Sequence, residues 1–186
     1  MIEVELKLPI RDAEAVREDL IKMGFGSDGQ IREEDCYFDN ERRQIRENGE
    51  ALRVRKITDL LTERSETVIT YKGRKLDRIS MSRKELETEV ADGEICMQIL
   101  EALGFGAVPP MVVKERQILK RNRVTACVDQ VKNLGPFLEL EIVIREDESK
   151  DQALEQIEQI LRELGYALED TTRNSYLSML QKTEDA

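Results

Sequence analysis

The sequence predicts an α+β fold, an antiparallel sheet of eight strands able to close into a barrel, with helices at its flanks. Three observations lead there. Eight stretches alternate apolar with polar or charged residues, at 2–9, 30–39, 51–58, 66–73, 82–90, 111–120, 123–131 and 137–145. Only four stretches carry helical spacing, at 12–23, 93–103, 150–164 and 171–181. Gly49 in RENGEAL and Asn122 in KRNRV stand where turns are needed. Many strands with few helices suit an antiparallel sheet that closes on itself.

The first strand, EVELKL, sets the question for the rest. Glu3, Glu5 and Lys7 alternate with Val4, Leu6 and Leu8, so one face is charged and the other wholly apolar. The usual arrangement puts the apolar face in the core and the charges in water. The other arrangement is a barrel with a charged lumen and a greasy outer wall covered by helices. The first helix, RDAEAVREDLIKMG, spaces Ala13, Val16, Leu20 and Met23 by three and four, which makes one apolar stripe. Gly24 follows as a C′ residue with Phe25 as its apolar partner. Residues 59–65 read as an exposed loop, REDESKD at 145–151 as a charged connection into a helix, and KTEDA as a frayed tail. MGFG ends at Gly26 and LGFG at Gly106, 80 positions on (106 − 26). The same shift carries Glu3, Glu5 and Lys7 onto Arg83, Glu85 and Glu87. An internal two-fold repeat over 1–80 and 81–186, within one domain, is therefore an expectation.

Composition narrows the function. A chain of 186 residues fits one domain, since ~150 residues is a common domain size. No apolar run approaches the ~18 residues that cross a bilayer, so no membrane partner is expected. MIEVELK has no basic leader followed by an apolar stretch, so a cytoplasmic location is expected. Cys36, Cys96 and Cys127 are odd in number and widely spaced, and read as reduced thiols. There is no His, which removes His-based triads and most zinc sites. A net charge of −10 argues against general nucleic-acid binding. Four Phe, four Tyr and no Trp make base-stacking platforms scarce.

The charges that alternate within strands are Glu3, Glu5 and Lys7; Arg53 and Arg55; Lys72; Arg83, Glu85, Glu87 and Glu89; Lys114 and Arg116; Asp129; and Glu139 and Glu141. Any one such strand is ordinarily a solvated face. Taken together, strong apolar residues stand opposite the charges in several strands, and the helices carry stripes that need a partner. If those stripes cover the outside of the sheet, the charges converge on a wet lumen, because a dry unpaired charge costs several kcal/mol. Rows of Arg and Lys suit a polyanion. Carboxylates in E-x-E pairs suit a hard divalent cation such as Mg²⁺ or Mn²⁺. Both together describe a metal-bound polyphosphate, whose transfer chemistry rests on positioning and charge neutralisation and needs no His.

EVELKL resembles the E-x-E-x-K signature of the CYTH, or triphosphate tunnel metalloenzyme, superfamily, which includes class IV adenylyl cyclases and thiamine and inorganic triphosphatases. The resemblance continues through DCYFD at 35–39, ALRVRK at 51–56, TYKG at 70–73, SRKELETEV at 82–90, VVKERQ at 112–117 and CVDQVKNLGPFLELE at 127–141. It implies an eight-stranded antiparallel tunnel with a charged lumen and flanking helices. It also implies dependence on Mg²⁺ or Mn²⁺ and a triphosphate-bearing small molecule as partner, and it allows a homodimer. Carried over, Lys7, Arg53, Arg55, Lys72, Arg83, Lys114 and Arg116 look like the phosphate-binding bases. Glu3, Glu5, Glu139 and Glu141 look like metal ligands, with Asp129 and Glu87 close to that role and Glu85 orienting a base. Lys7, with Glu3 and Glu5, is the expected catalytic group. The tail, DTTRNSYLSML, is similar to the Arg-x-Ser-Tyr-x-x-x-Leu end of the class IV cyclase-like branch. Its bland reading is that Tyr176, Leu177 and Leu180 pack the barrel wall, and Tyr37 and Phe38 read as wall or core in the same way.

The first functional expectation is therefore a class IV adenylyl cyclase-like enzyme that converts ATP to cyclic AMP and pyrophosphate. The alternative is a triphosphatase that removes the terminal phosphate of inorganic or thiamine triphosphate. A module that holds polyphosphate without turnover is the reading from another class.

Overall fold

The structure is a computed structural model that describes residues 2–42, 44–74, 83–145 and 147–184. In chain order its elements are β1 (Ile2–Pro9), α1 (Ala13–Lys22), β2 (Gly26–Asn40), α2 (Gln44–Glu47), β3 (Ala51–Asp59), β4 (Ser65–Lys72), β5 (Arg83–Glu89), α3 (Gly93–Ala102), β6 (Phe105–Arg121), β7 (Val124–Val131), β8 (Gly135–Ile144), α4 (Lys150–Glu163), a short 3-10 turn (Leu168–Asp170) and α5 (Tyr176–Glu184). The strands form a closed antiparallel barrel in the order β1-β5-β4-β3-β2-β6-β7-β8, and β8 pairs back onto β1.

The polarity is inside out. Val4, Leu6 and Leu8 of β1 pack with Leu138, Leu140 and Ile142 of β8, and this outer wall is covered by Val16 and Leu20 of α1 and by Ile157, Ile160 and Leu161 of α4. A fully buried Leu or Ile contributes roughly 1.5–3 kcal/mol, so this wall anchors the fold. α3 covers the far side, where Leu100 meets Phe38 and Val54. With the apolar faces turned outward, strict alternation leaves the charged faces only the lumen.

Local chemistry fixes the ends. Asp12 accepts from Glu14 N and Ala15 N at 3.0 Å and starts α1, and Gly24, at φ +90°, ends it as only glycine does cheaply. Asp92 and Gly104 do the same for α3, 80 positions later. These observations support the proposal of an internal repeat; its junction at 80/81 lies outside the described residues, as does Ser82 of the expected strand 82–90.

Three boundaries differ from expectation. β6 begins at Phe105, not 111, because Phe105–Val108 pairs with Tyr37–Asn40 beyond a bulge in β2, next to Pro109 and Pro110. β2 begins at Gly26, not 30, since it follows β6 down to Lys120. The last helix begins at Tyr176, not 171. Thr172 N donates to Lys7 O at 2.7 Å, which draws 171–175 out along β1, and Ser175 Oγ then accepts from Ser178 N at 3.1 Å and starts the helix. α2 was not expected; both carboxylate oxygens of Asp39 accept from its backbone, at Ile45 N and Arg46 N.

Candidate active site

Every strand brings polar or charged side chains to the lumen. β3 brings Arg53 and Arg55, β2 brings Glu33 and Asp35, β6 brings Lys114 and Arg116, β7 brings Asp129, and β8 brings Glu139 and Glu141. β1 brings Glu3, Glu5 and Lys7, β5 brings Arg83, Glu85 and Glu87, and β4 brings Thr70 and Lys72. All seven expected bases border one cavity of about 700 Å³, together with Glu3, Glu5, Glu85, Glu87, Glu139 and Glu141. α5 lies against the luminal ends of β6–β8, where Tyr176, Leu177 and Leu180 pack with Val112, Val131 and Phe137.

Half of the wall is held by paired charges. Arg55 donates to Asp35 Oδ1 at 2.6 Å, to Asp35 Oδ2 at 2.7 Å and to Glu33 Oε1 at 2.7 Å. Lys114 stands 3.0 Å from Glu33 and 3.2 Å from Asp129. Arg116 makes a two-pronged contact with Asp129, 2.7 Å on each oxygen, and also donates to Glu139. Burial pushes Lys114 down, as does Arg116, but Asp129 and Glu33 outweigh both and keep it charged.

Asp129 is where the expected metal role fails to fit. It is fully buried, does not border the cavity, and its oxygens already accept from Arg116, Lys114 and, at 2.9 Å, Tyr176 Oη. With three side chains already donating to it and no face on the cavity, its chemistry is that of an anchor for bases. Glu139 borders the cavity but contacts Lys7, at 2.9 Å, and Arg116. Glu87 sits at the rim, accepting from Thr70 at 2.7 Å and standing 4.0 Å from Arg53.

The opposite wall has the reverse imbalance. Glu5 and Glu141 are direct cross-strand partners in β1 and β8. Burial, then the neighbouring Glu3, drives the Glu141 carboxyl up to about 8, against the pull of Arg116. Burial raises Glu5 too, more than Lys7 lowers it. Glu5 Oε1 is 3.3 Å from Lys7 Nζ yet has no directed hydrogen bond. Like charges opposed across a ladder destabilise it, so this corner is short of a cation.

The profile of the CYTH domain matches residues 1–176. The chain belongs to the CYTH family. A protein of Methanocaldococcus jannaschii, provisionally named an adenylate cyclase, is 41% identical over 179 residues, 96% of this chain and 98% of that one. The solved structure of PH1819 from Pyrococcus horikoshii superposes with a TM-score of 0.87 at 34% identity, covering 97% of this chain and 99% of that one. A Hippeastrum protein provisionally named an adenylyl cyclase, and described as having dominant triphosphatase activity, shares the fold at a TM-score of 0.70 and 17% identity, covering 98% of this chain and 95% of that one.

A divalent ion fits this CYTH lumen in donor chemistry. Among the described residues no three acids are gathered into a ready-made cage. Mg²⁺ does not require one: it binds through one or two carboxylates plus substrate phosphates and water. Glu3, Glu5 and Glu141 supply hard oxygens in excess of the local bases, and Glu5 Oε1 is buried without a directed partner. The bases with donors to spare lie nearby. Arg53 is held loosely, 3.5 Å from Asp35 and 3.4 Å from Thr70, and its Nε has no partner. Arg83 has no close ion pair among the described residues, and burial lowers its pKa more than Glu5 and Glu85 raise it. Lys72 is already engaged with Glu85 and stands 3.7 Å from Glu3.

Glu33 and Asp35 are the members that sequence reasoning missed as site residues. Their signal was the alternation Glu33, Asp35, Tyr37 in β2, whose odd positions face the lumen. Burial pushes Glu33 up, but Lys114 and Arg55 outweigh it and hold it well below the usual range. Burial likewise raises Asp35, and Arg55 and Arg53 overcome it. Both pKa values are lowered by folding, so both groups add stability that is complete above their ordinary values of 4.5 and 3.8 and is lost as pH falls below them. Denaturant melts from neutral pH to about pH 3 should show Glu33→Gln markedly less stable than the parent at neutrality, with the gap closing in acid. A gap independent of pH would remove the ionic explanation. No helix among the described residues is long and apolar enough to cross a membrane.

Proposed function

We propose that this CYTH protein is a divalent-metal-dependent enzyme that hydrolyses the terminal phosphate of a triphosphate. One observation carries the reading: cation-deficient carboxylates, Glu3, Glu5 and Glu141, share a cavity with bases that keep unused donors, Lys7, Arg53 and Arg83. Mg²⁺ or Mn²⁺ held by one or two of these carboxylates, with substrate phosphates and water completing its shell, would polarise phosphoryl oxygens and lower the pKa of a water. The chain's own residues do the rest. Lys7 has three N–H donors and two carboxylate partners, so one donor remains for a phosphate oxygen. Burial lowers its pKa, but Glu139 and Glu5 reverse that, so the group stays charged. Arg53 and Arg83 bind phosphate edges, and Arg55, Lys114 and Arg116 supply a fixed positive field that Glu33, Asp35, Asp129 and Glu139 hold in place. Water adds to the terminal phosphorus, the bridging P–O bond breaks, orthophosphate leaves, and the released proton passes to solvent.

Cyclisation of ATP is the second reading, favoured by the provisional name of the 41% identical relative. It requires a seat for adenine that keeps the 3′-oxygen facing the α-phosphorus. Three aromatic rings border the cavity. Phe38 is buried in the wall cluster, Tyr37 packs beside Val112, and Tyr176 is buried against Lys7 and Lys114. Of the three only Tyr37 is short of full burial, which offers adenine at most one ring to stack on and favours hydrolysis.

The test is an assay of metal-stripped protein with Mg²⁺ or Mn²⁺ restored, against tripolyphosphate, ATP and thiamine triphosphate. Orthophosphate, released fastest from tripolyphosphate, is the expected product. Cyclic AMP with pyrophosphate would favour the second reading, and binding without turnover would leave a polyphosphate-holding module. Arg83→Ala should weaken triphosphate binding by about tenfold and leave the melting temperature unchanged, since this guanidinium makes no close ion pair among the described residues. Unchanged affinity in a calorimetric titration would refute its assignment as a phosphate ligand.

A further inference from the structure

Tyr176 makes more contacts with the charged lumen than packing requires. Its ring lies in the apolar cluster with Val112, Val131 and Phe137, and Phe137 meets it edge-on at 5.1 Å. From that seat it faces two of the bases: Lys7 Nζ is 4.4 Å and Lys114 Nζ 5.1 Å from the ring centroid. Its hydroxyl donates to Asp129 Oδ2 at 2.9 Å, the carboxylate that also anchors Arg116 and Lys114. The segment before it is tied to the same place, through Thr172 N on Lys7 O at 2.7 Å. One residue of the C-terminal helix therefore touches Lys7, Lys114 and Asp129 together.

We propose that Tyr176 is a positioning residue whose ring holds the Lys7 and Lys114 ammonium groups at the phosphate site; this rests on the triphosphate reading above. The two lysines come from β1 and β6, on different sides of the barrel, and both are buried. A further carboxylate could hold them, but it would occupy N–H donors and repel the incoming phosphates. An aromatic face attracts a cation through its quadrupole, accepts no strong hydrogen bond and carries no net charge. The attraction is larger for desolvated ammonium groups, and both side chains are at most 6% exposed. Lys7 and Lys114 are thereby oriented while keeping donors for a ligand.

The test separates the ring from the hydroxyl and from simple volume. Tyr176→Phe keeps the ring and loses only the bond to Asp129, which retains Arg116 and Lys114. It should bind tripolyphosphate within a few-fold of the parent. Tyr176→Leu keeps apolar bulk and loses the quadrupole, and should weaken binding by about tenfold. Should the Leu variant fail to fold, fluorinated phenylalanines at position 176 retain ring size while progressively draining the negative face. The dissociation constant should then rise step by step with fluorination, and a flat series would overturn the assignment. A readout free of ligand accompanies it. The side-chain ε-proton resonances of Lys7 and Lys114 should be shifted upfield by the ring in the parent and should relax in Tyr176→Leu or move along the fluorinated series. Unshifted resonances in the parent would sink the positioning role by themselves. Failure of the parent to bind tripolyphosphate while those shifts are present would instead count against the triphosphate reading alone.

Discussion

Glu141→Gln is expected to reduce metal-dependent triphosphate turnover by on the order of a hundredfold or more, and at the same time to raise the melting temperature of the metal-free protein. The two effects share one cause. Glu141 faces Glu5 directly across the β1–β8 ladder, with Glu3 on the same luminal face of β1. Burial and Glu3 push its proton affinity up to about 8, so at neutrality folding obliges this carboxyl to take up a proton that the unfolded chain, at an ordinary value of 4.5, has released. An amide removes that penalty and the cation ligand together. Each kcal/mol relieved should raise the melting temperature by about 2–4 °C for a chain of this size. Rates across a Mn²⁺ titration, with melts in the presence of a chelator, read both effects. Full metal-dependent activity in Glu141→Gln, and also in Glu3→Ala, would mean that the cation sits elsewhere.

Asp129→Ala should do the opposite, costing stability first. It removes the anion on which Arg116 and Lys114 converge and which accepts the Tyr176 hydroxyl, and leaves buried cations short of charge. Breaking such a buried network typically costs about 3–5 kcal/mol, which corresponds to a fall of roughly 10 °C or more in melting temperature. Asp129→Asn should be milder, since the amide oxygen still accepts from one base. Mn²⁺ affinity should survive in whatever fraction remains folded. A stable Asp129→Ala protein that has lost Mn²⁺ binding would reinstate Asp129 as a metal ligand and cancel its role as an anchor.

Much of this was legible in the residues, for identifiable reasons. The two-residue period of a strand ties each charged row to an apolar row, and the stripe Val16–Leu20 needed something apolar to cover. Together they placed Glu3, Arg55, Lys114 and Glu141 in a lumen. The sequence could not say which carboxylates are spent on bases and which stay free. That depends on closure of the barrel: β6 lies between β2 and β7, so Glu33 and Asp129 both reach Lys114, and no linear spacing reveals those neighbours. Asp129, Glu139 and Glu141 therefore looked alike as a sequence pattern and differ in surroundings. Asp39, Pro109 and Thr172 gave no signal because their effects depend on distant parts of the chain. A carboxylate capping α2, prolines tolerated in a strand beside a bulge, and a backbone bond that straightens 171–175 each depend on a partner distant in sequence.

The claim on which the rest depends is that the lumen seats a metal-bound triphosphate. The most direct measurement is a crystal structure of the protein grown with Mn²⁺ and a non-hydrolysable triphosphate analogue, with manganese located by its anomalous scattering. The expected result is a manganese peak among Glu3, Glu5 and Glu141, with phosphate oxygens on Lys7, Arg53 and Arg83. Manganese and triphosphate bound on the outer surface, with these side chains still paired only to one another, would contradict it.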